Sequence, residues 1–221
     1  MSDSKSSKKA GKAPIVDTLP RRKRDRPLSQ ELRNQATRLR LIEAAARVIG
    51  KYGYAGCTIA RVTSKARVAH GTFYLYFQSQ QDLFNAILPT LGQGLLRFTG
   101  ESLQGQTDVE SMERRGFEAS FAYLADHPYM ARVAEEAAHY APEAYNRHIE
   151  DLISAYTRGL HRIEGDLWLS RFDEGELKIL AHLLLGARIQ LMKYHRENAD
   201  GETGISQSAI VDLYLKALRP A

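Results

Sequence analysis

The sequence has a single cysteine, Cys57, among 221 residues. That excludes an intrachain disulfide and a multi-cysteine zinc site, and it suits a reducing cytoplasm. Long hydrophobic runs are also missing. The most apolar stretch, 177–192, is interrupted by Lys178, His182 and Arg188, so it is too short and too charged to span a bilayer. The N-terminus is polar and basic without an apolar h-region, which argues against a secretory signal. Nowhere does a strand-like alternation of useful length appear. There is no glycine-rich phosphate loop, nucleophile motif or metal-ligand spacing, so no cofactor is expected. Glu135 and His139 stand four apart on one predicted helix face, but two ligands do not make a metal site.

What is present is an apolar fraction of 43%, enough for a core, and a lopsided charge. Residues 1–81 hold 17 Lys/Arg against 5 Asp/Glu, a net of +12. Residues 82–221 hold 14 against 21, a net of −7. A basic third joined to an acidic remainder suggests that one end meets a polyanion and the other does something else.

Residues 1–28 are rich in Ser, Lys, Arg and Pro and read as a disordered basic tail. Arg21, Arg22, Lys23 and Arg24 near its end are candidates for tracking phosphates or entering a minor groove. From Ser29 the pattern becomes helical. Leu32, Leu39, Ile42, Ala46 and Ile49 recur at helical spacing, with Ser29 as a plausible N-cap and a start nearer Thr37 as the alternative. Thr58 can cap a short helix over 59–66. A break of about three residues follows, then a second short helix over 70–77. Ser79 can cap a longer one. A short helix, a tight turn and another short helix, packed on a longer one, make a helix-turn-helix.

In that arrangement Phe73 and Phe77 share one face and anchor the second short helix to the core. His70, Gly71, Tyr74 and Leu75 turn outward. Gly71 lets backbone approach DNA closely; Thr72, Tyr74 and Tyr76 offer hydroxyls to phosphates. His70 and Tyr74 can reach base edges, and Leu75 can meet a thymine methyl. Lys51, Arg61, Lys65 and Arg67 supply positive charge.

The stretch TIARVTSKARVAHGTFYLYFQSQQDLF resembles the helix-turn-helix of the TetR family of bacterial transcriptional regulators. Thr58, Ala66, Val68, Gly71, Thr72, Tyr74, Tyr76, Phe77 and Leu83 match the family pattern, over roughly residues 38–85. Val62 and Thr63 are mild departures. Arg67 stands where glycine is frequent, in a turn that favours φ > 0. Ala69 replaces a usual serine cap, and Gln80 replaces a lysine that faces phosphate. The resemblance implies an all-α fold of about nine helices, not an enzyme. It comprises a tail over 1–28, a DNA-binding domain over 29–78, and a ligand-binding and dimerisation domain over 79–221. It also implies double-stranded DNA, a small-molecule effector and a second copy of the chain as partners, with no membrane. The expected activity is ligand-responsive repression.

Polar groups beside apolar stripes are the pocket candidates: Glu135, His139, Tyr140, Tyr145, His148, Tyr156, Trp168 and Arg188. Their aromatic enrichment leans toward a planar or acyl ligand such as a CoA thioester. The helix over roughly 173–196 is apolar on two faces, so it needs two covers. The dimer candidates are Ile179, Leu183, Ala187, Gln190 and Tyr194, completed by Ile210, Leu213 and Tyr214; the alternative is a central core helix. Pro89 with Gly92 and Gly94 marks either a hinge or a static kink. An all-helical enzyme and a non-specific architectural DNA-binding protein remain as rival readings.

Overall fold

Capping residues decide where the helices of this chain begin. The computed structural model describes residues 29–163, 165–198 and 205–218; the basic tail, with Arg21, Arg22, Lys23 and Arg24, lies outside them. Ser29 opens α1 (Gln30–Tyr52), its hydroxyl accepting from the Leu32 N–H at 3.3 Å. Gly53 closes it with φ 73°, a conformation that costs glycine little. Thr58 caps α2 (Ile59–Ala66), accepting from the Arg61 N–H at 3.3 Å. Ser79 does the same for α3 (Gln80–Ser102), accepting from the Asp82 N–H at 3.0 Å. These three local bonds each satisfy a donor that the helix start leaves orphaned.

Between α2 and α3 the structure departs from the α-helix expected through Phe77. His70–Leu75 form a 3₁₀ helix. Ala69 provides no side-chain cap, and six residues are too few to sustain an α-helix without one. The connection from α2 turns on Arg67, which takes the left-handed conformation (φ 56°, ψ 48°). Pro89 does not end α3, which continues to Ser102.

The remaining helices are α4 (Val109–Asp126), α5 (Tyr129–Tyr140), α6 (Pro142–His161), α7 (Glu174–Asn198) and α8 (Gln207–Leu218). Asp108 caps α4, accepting from the Ser111 N–H at 2.8 Å, and Pro142 starts α6 with its ring in the first turn. With the 3₁₀ helix these make nine, and a further single 3₁₀ turn spans Leu169–Arg171. The described residues are all-α, and none of their helices is long and apolar enough to cross a membrane.

Two cores organise the chain. The first joins α1, α2, Phe73, Phe77 and the first half of α3 to Tyr129, Met130, Val133 and Ala137 of α5. The second is built by α4, α6, α7 and α8 around Phe117, Leu160, Leu184 and Leu215. Helix α5 crosses α1 at Gly50, where a Cβ would overlap the Tyr129 side chain and backbone. Glu136 fixes the same crossing from the other end: it accepts from the Tyr54 N–H at 2.8 Å and from Arg132 Nε at 2.6 Å.

Candidate functional site

The 3₁₀ helix presents its residues in two directions. Phe73 and Phe77 are fully inside, and the Arg38 guanidinium lies over the Phe77 ring at 5.0 Å. His70, Gly71, Tyr74 and Leu75 face outward, Leu75 with 79% of its surface free. Nothing lies within 4 Å of the position a Cβ would take on Gly71, so an approaching surface meets backbone there. Thr72 is half-buried. The Tyr76 hydroxyl reaches back to Asn34 on α1 at 3.4 Å.

Thr58 uses an acceptor lone pair for its cap and keeps its O–H free to donate. Arg61 is held by the Gly56 carbonyl at 2.6 Å and lies over the Tyr52 ring. Arg67 is exposed at the turn, and Gln80 begins α3 half-buried. The structure thus brings the predicted polyanion-facing residues to one end of the molecule. Cys57, by contrast, is a core side chain: burial pushes its thiol up to about 12 against the opposing pull of Arg61, which makes it a poor nucleophile.

At the other end a cavity of about 850 Å³ opens among α3 to α7. Its walls include Leu88, Leu96, Met130, Ile149, Leu152 and Met192. Five of the eight candidates line it: Glu135, Tyr145, His148, Tyr156 and Arg188. Three do not. Tyr140 stacks on Tyr54 with ring centroids 5.3 Å apart, filling the junction of α5 with the first core. His139 is exposed near the end of α5, and Trp168 packs edge-on against Phe172. Aromatic side chains at a domain junction have as much apolar area to bury as those at a pocket, so composition does not separate them. Glu135 pairs with Arg196 across the cavity wall and not with His139.

Sequence reasoning missed the most buried charge. Glu113 on α4 is 0% exposed and accepts from Arg188 Nη2 at 2.8 Å, from the Tyr214 hydroxyl at 2.9 Å and from the Tyr156 hydroxyl. Burial pushes the Tyr156 and Tyr214 hydroxyls well above the phenol range, with the Glu113 charge adding to it. Burial opposes the charge of Arg188, but the Glu113 carboxylate beside it outweighs that and holds it protonated. The sequence did carry a signal. Glu113 sits four residues from both Val109 and Phe117, so it interrupts an apolar stripe at a position that faces inward.

Also missed were the arginines of the cavity. Six cationic side chains line it, Arg97, Arg158, Arg162, Arg188, Lys193 and Arg196, against the single carboxylate of Glu135. No ion pair among the described residues involves Arg97, Arg158 or Arg162. A net-negative domain therefore lines its cavity with positive charge.

The dimer candidates divide. Ile179, Leu183, Gln190 and Tyr194 are exposed along one stripe of α7, with Ala187 half-buried beside them and Leu213 exposed on α8; Ile179, Leu183 and Leu213 are each more than 60% free. Ile210 and Tyr214 turn inward instead: both are buried in the chain's own fold, Tyr214 to reach Glu113. On a helix, residues 210 and 214 share a face, and that face covers α4.

Residues 41–87 match the model of the bacterial regulatory proteins of the tetR family. Over those residues the chain carries a TetR-type DNA-binding region. Among curated TetR-like relatives, the HTH-type transcriptional regulator YvdT of Bacillus subtilis is 36% identical over 67 residues, 30% of this chain and 32% of the relative. The match thus spans about a third of that relative's length. The fatty acid metabolism regulator protein of Bacillus subtilis is 25% identical over 141 residues, 63% of this chain and 70% of that protein. Among solved structures, the transcriptional regulator FadR from Bacillus subtilis in complex with stearoyl-CoA superposes with a TM-score of 0.67 over 82% of this chain and 99% of that one, at 17% identity. At that identity the likeness shows a shared fold. Both of these curated relatives are named as regulators.

Proposed function

We propose that this chain is a TetR-family repressor that binds a palindromic operator as a homodimer and is released by a long-chain acyl-CoA. The observation that carries the effector half is the cavity: apolar walls lined also by Arg97, Arg158 and Arg162, none of which forms an ion pair among the described residues. An acyl chain needs the walls, and the phosphates of a CoA headgroup need the arginines. The likeness to the fatty acid metabolism regulator, and the stearoyl-CoA bound to the FadR of similar fold, support the same ligand class.

For the DNA half, the outward face of the 3₁₀ helix offers His70 and Tyr74 to base edges and Leu75 to a thymine methyl, around the bare backbone of Gly71. Thr58, Thr72, Arg61 and Arg67 supply hydroxyls and charge to phosphates. Ser79, which caps α3, orients Gln80 at the same edge. Tyr76 contributes through Asn34, by tying α1 to the reading helix. The exposed stripe of α7 with Leu213 of α8 pairs with its symmetry copy and sets two reading heads roughly 34 Å apart, one turn of duplex.

Helix α5 links the halves. Met130, Ala131, Ala134 and Glu135 face the cavity, while Tyr129, Val133, Ala137 and Glu136 grip the first core. A ligand that fills the cavity bears on α5, and α5 bears on α1. Effector binds the DNA-incompetent arrangement more tightly and shifts the population toward it.

Footprinting of the DNA upstream of the chain's own gene, with and without palmitoyl-CoA, tests this. A protected palindrome that the acyl-CoA clears is expected. Protection that palmitoyl-CoA leaves untouched would overturn the effector assignment, and no protected site anywhere upstream would overturn the operator.

A further inference from the structure

Four helices meet at one buried polar cluster. Glu113 comes from α4, Tyr156 from α6, Arg188 from α7 and Tyr214 from α8. Glu113 and Tyr214 stand behind the cavity wall; Tyr156 and Arg188 are part of it. The guanidinium is 7% exposed and sandwiched, with its carbon 5.1 Å from both the Phe117 and the Tyr156 ring centroids. It crosses α4 where Gly116 leaves room, since a Cβ there would overlap Nη1 and Nη2.

The donors of Arg188 are not used up. Two hydrogen bonds leave from Nη2, to Glu113 at 2.8 Å and to the Tyr156 hydroxyl at 3.2 Å. The Nε–H is buried and has no acceptor. That atom is out of a ligand's reach, but neither N–H of Nη1 is hydrogen-bonded among the described residues, and an acceptor oxygen delivered by a ligand in the cavity can take one. An alkyl chain cannot do so.

We infer that Arg188, held in place by Glu113 and Tyr156, is the residue that recognises the acyl carbonyl oxygen of the effector. The acyl-CoA reading of the cavity is assumed here, and the inference adds to it a specific atom on the ligand and a specific donor on the protein. Arg97, Arg158 and Arg162 take the headgroup phosphates, the apolar walls take the chain, and Arg188 takes the thioester carbonyl oxygen at the head of that chain. The cluster also joins α7 to α8, so occupancy at Arg188 is felt by the two helices that carry the exposed stripe.

The test compares palmitoyl-CoA with its thioether, S-hexadecyl-CoA, which has the same headgroup and chain and lacks the carbonyl. Calorimetric titration of the full chain is expected to show the thioether binding about tenfold more weakly or worse, the size of one charge-assisted hydrogen bond. The double variant Glu113→Gln/Arg188→Met removes both charges together, so no lone carboxylate is left buried. It is expected to bind the two ligands equally. Tyr156→Phe, which leaves the ion pair in place and loses the hydroxyl that holds Nη2, is expected to shrink the ratio without abolishing it, and serves if the double variant does not fold. Equal affinity of the unaltered protein for both ligands would overturn the inference while leaving the acyl-CoA reading intact. Binding of neither ligand would overturn the acyl-CoA reading itself. A tenfold ratio that survives in the double variant would show that another donor reads the carbonyl.

Discussion

Arg67 holds a left-handed backbone at a turn where glycine would sit without strain. A non-glycine residue there costs on the order of 1 kcal/mol. The side chain is exposed beside the reading helix, so its charge offsets that cost only when DNA is present. Arg67→Gly should therefore raise the unfolding free energy by about 1 kcal/mol in urea denaturation, and weaken operator binding at the same time. His148 offers a second test. Burial holds its imidazole below the ordinary 6.5, against the pull of Asp151. The native state keeps it neutral, so its contribution is complete above 6.5 and is lost as pH falls from there through the lower folded value. Stability compared at about pH 7.5 and 5.5 should drop more in the unaltered protein than in His148→Gln. The helix caps were legible in the sequence because each is a bond across three residues. Glu113 was not, because its partners lie 43, 75 and 101 residues away and a carboxylate on an amphipathic helix ordinarily faces water.

Among the elements, α5 carries the coupling. Its role could not be read from periodicity, since the bond from the Tyr54 N–H to Glu136 spans 82 residues and nothing local announces it. Tyr129, Val133 and Ala137 share one face of α5, and that this face joins the first core is a matter of packing. Pro89, which the sequence left as either a hinge or a static kink, lies inside an α3 that continues past it, with Gly92 admitting the His148 ring against the helix. Gly50 is the more exposed joint in this account. Gly50→Ala places a Cβ against Tyr129 and must push α1 off α5. It should destabilise the chain by roughly 1–3 kcal/mol and reduce the factor by which palmitoyl-CoA weakens operator binding. Normal stability together with normal release in that variant would show that the α1–α5 crossing is not the route.

On the scale of the whole molecule, the charge split was plain in composition, and so was the helical class. The cationic lining of a net-negative domain was not, because which arginines turn inward depends on helix packing angles that composition does not encode. The same holds for the stripe on α7: two apolar faces were legible, but not that Ile210 and Tyr214 of α8 would turn inward onto α4 and leave Leu213 outside. Leu183→Glu puts a charge at the centre of that stripe. Sedimentation should find it monomeric where the unaltered chain is a dimer, and its operator affinity should fall by at least about a hundredfold, because one reading head loses its tethered partner.

The central claim is that cavity and reading helix report on one equilibrium. Linkage then demands reciprocity. Fluorescence anisotropy can measure the factor by which palmitoyl-CoA weakens operator binding, and calorimetry the factor by which operator weakens palmitoyl-CoA binding. The account predicts that the two factors agree and exceed about tenfold. Palmitoyl-CoA binding with the same affinity to free and operator-bound protein would contradict it.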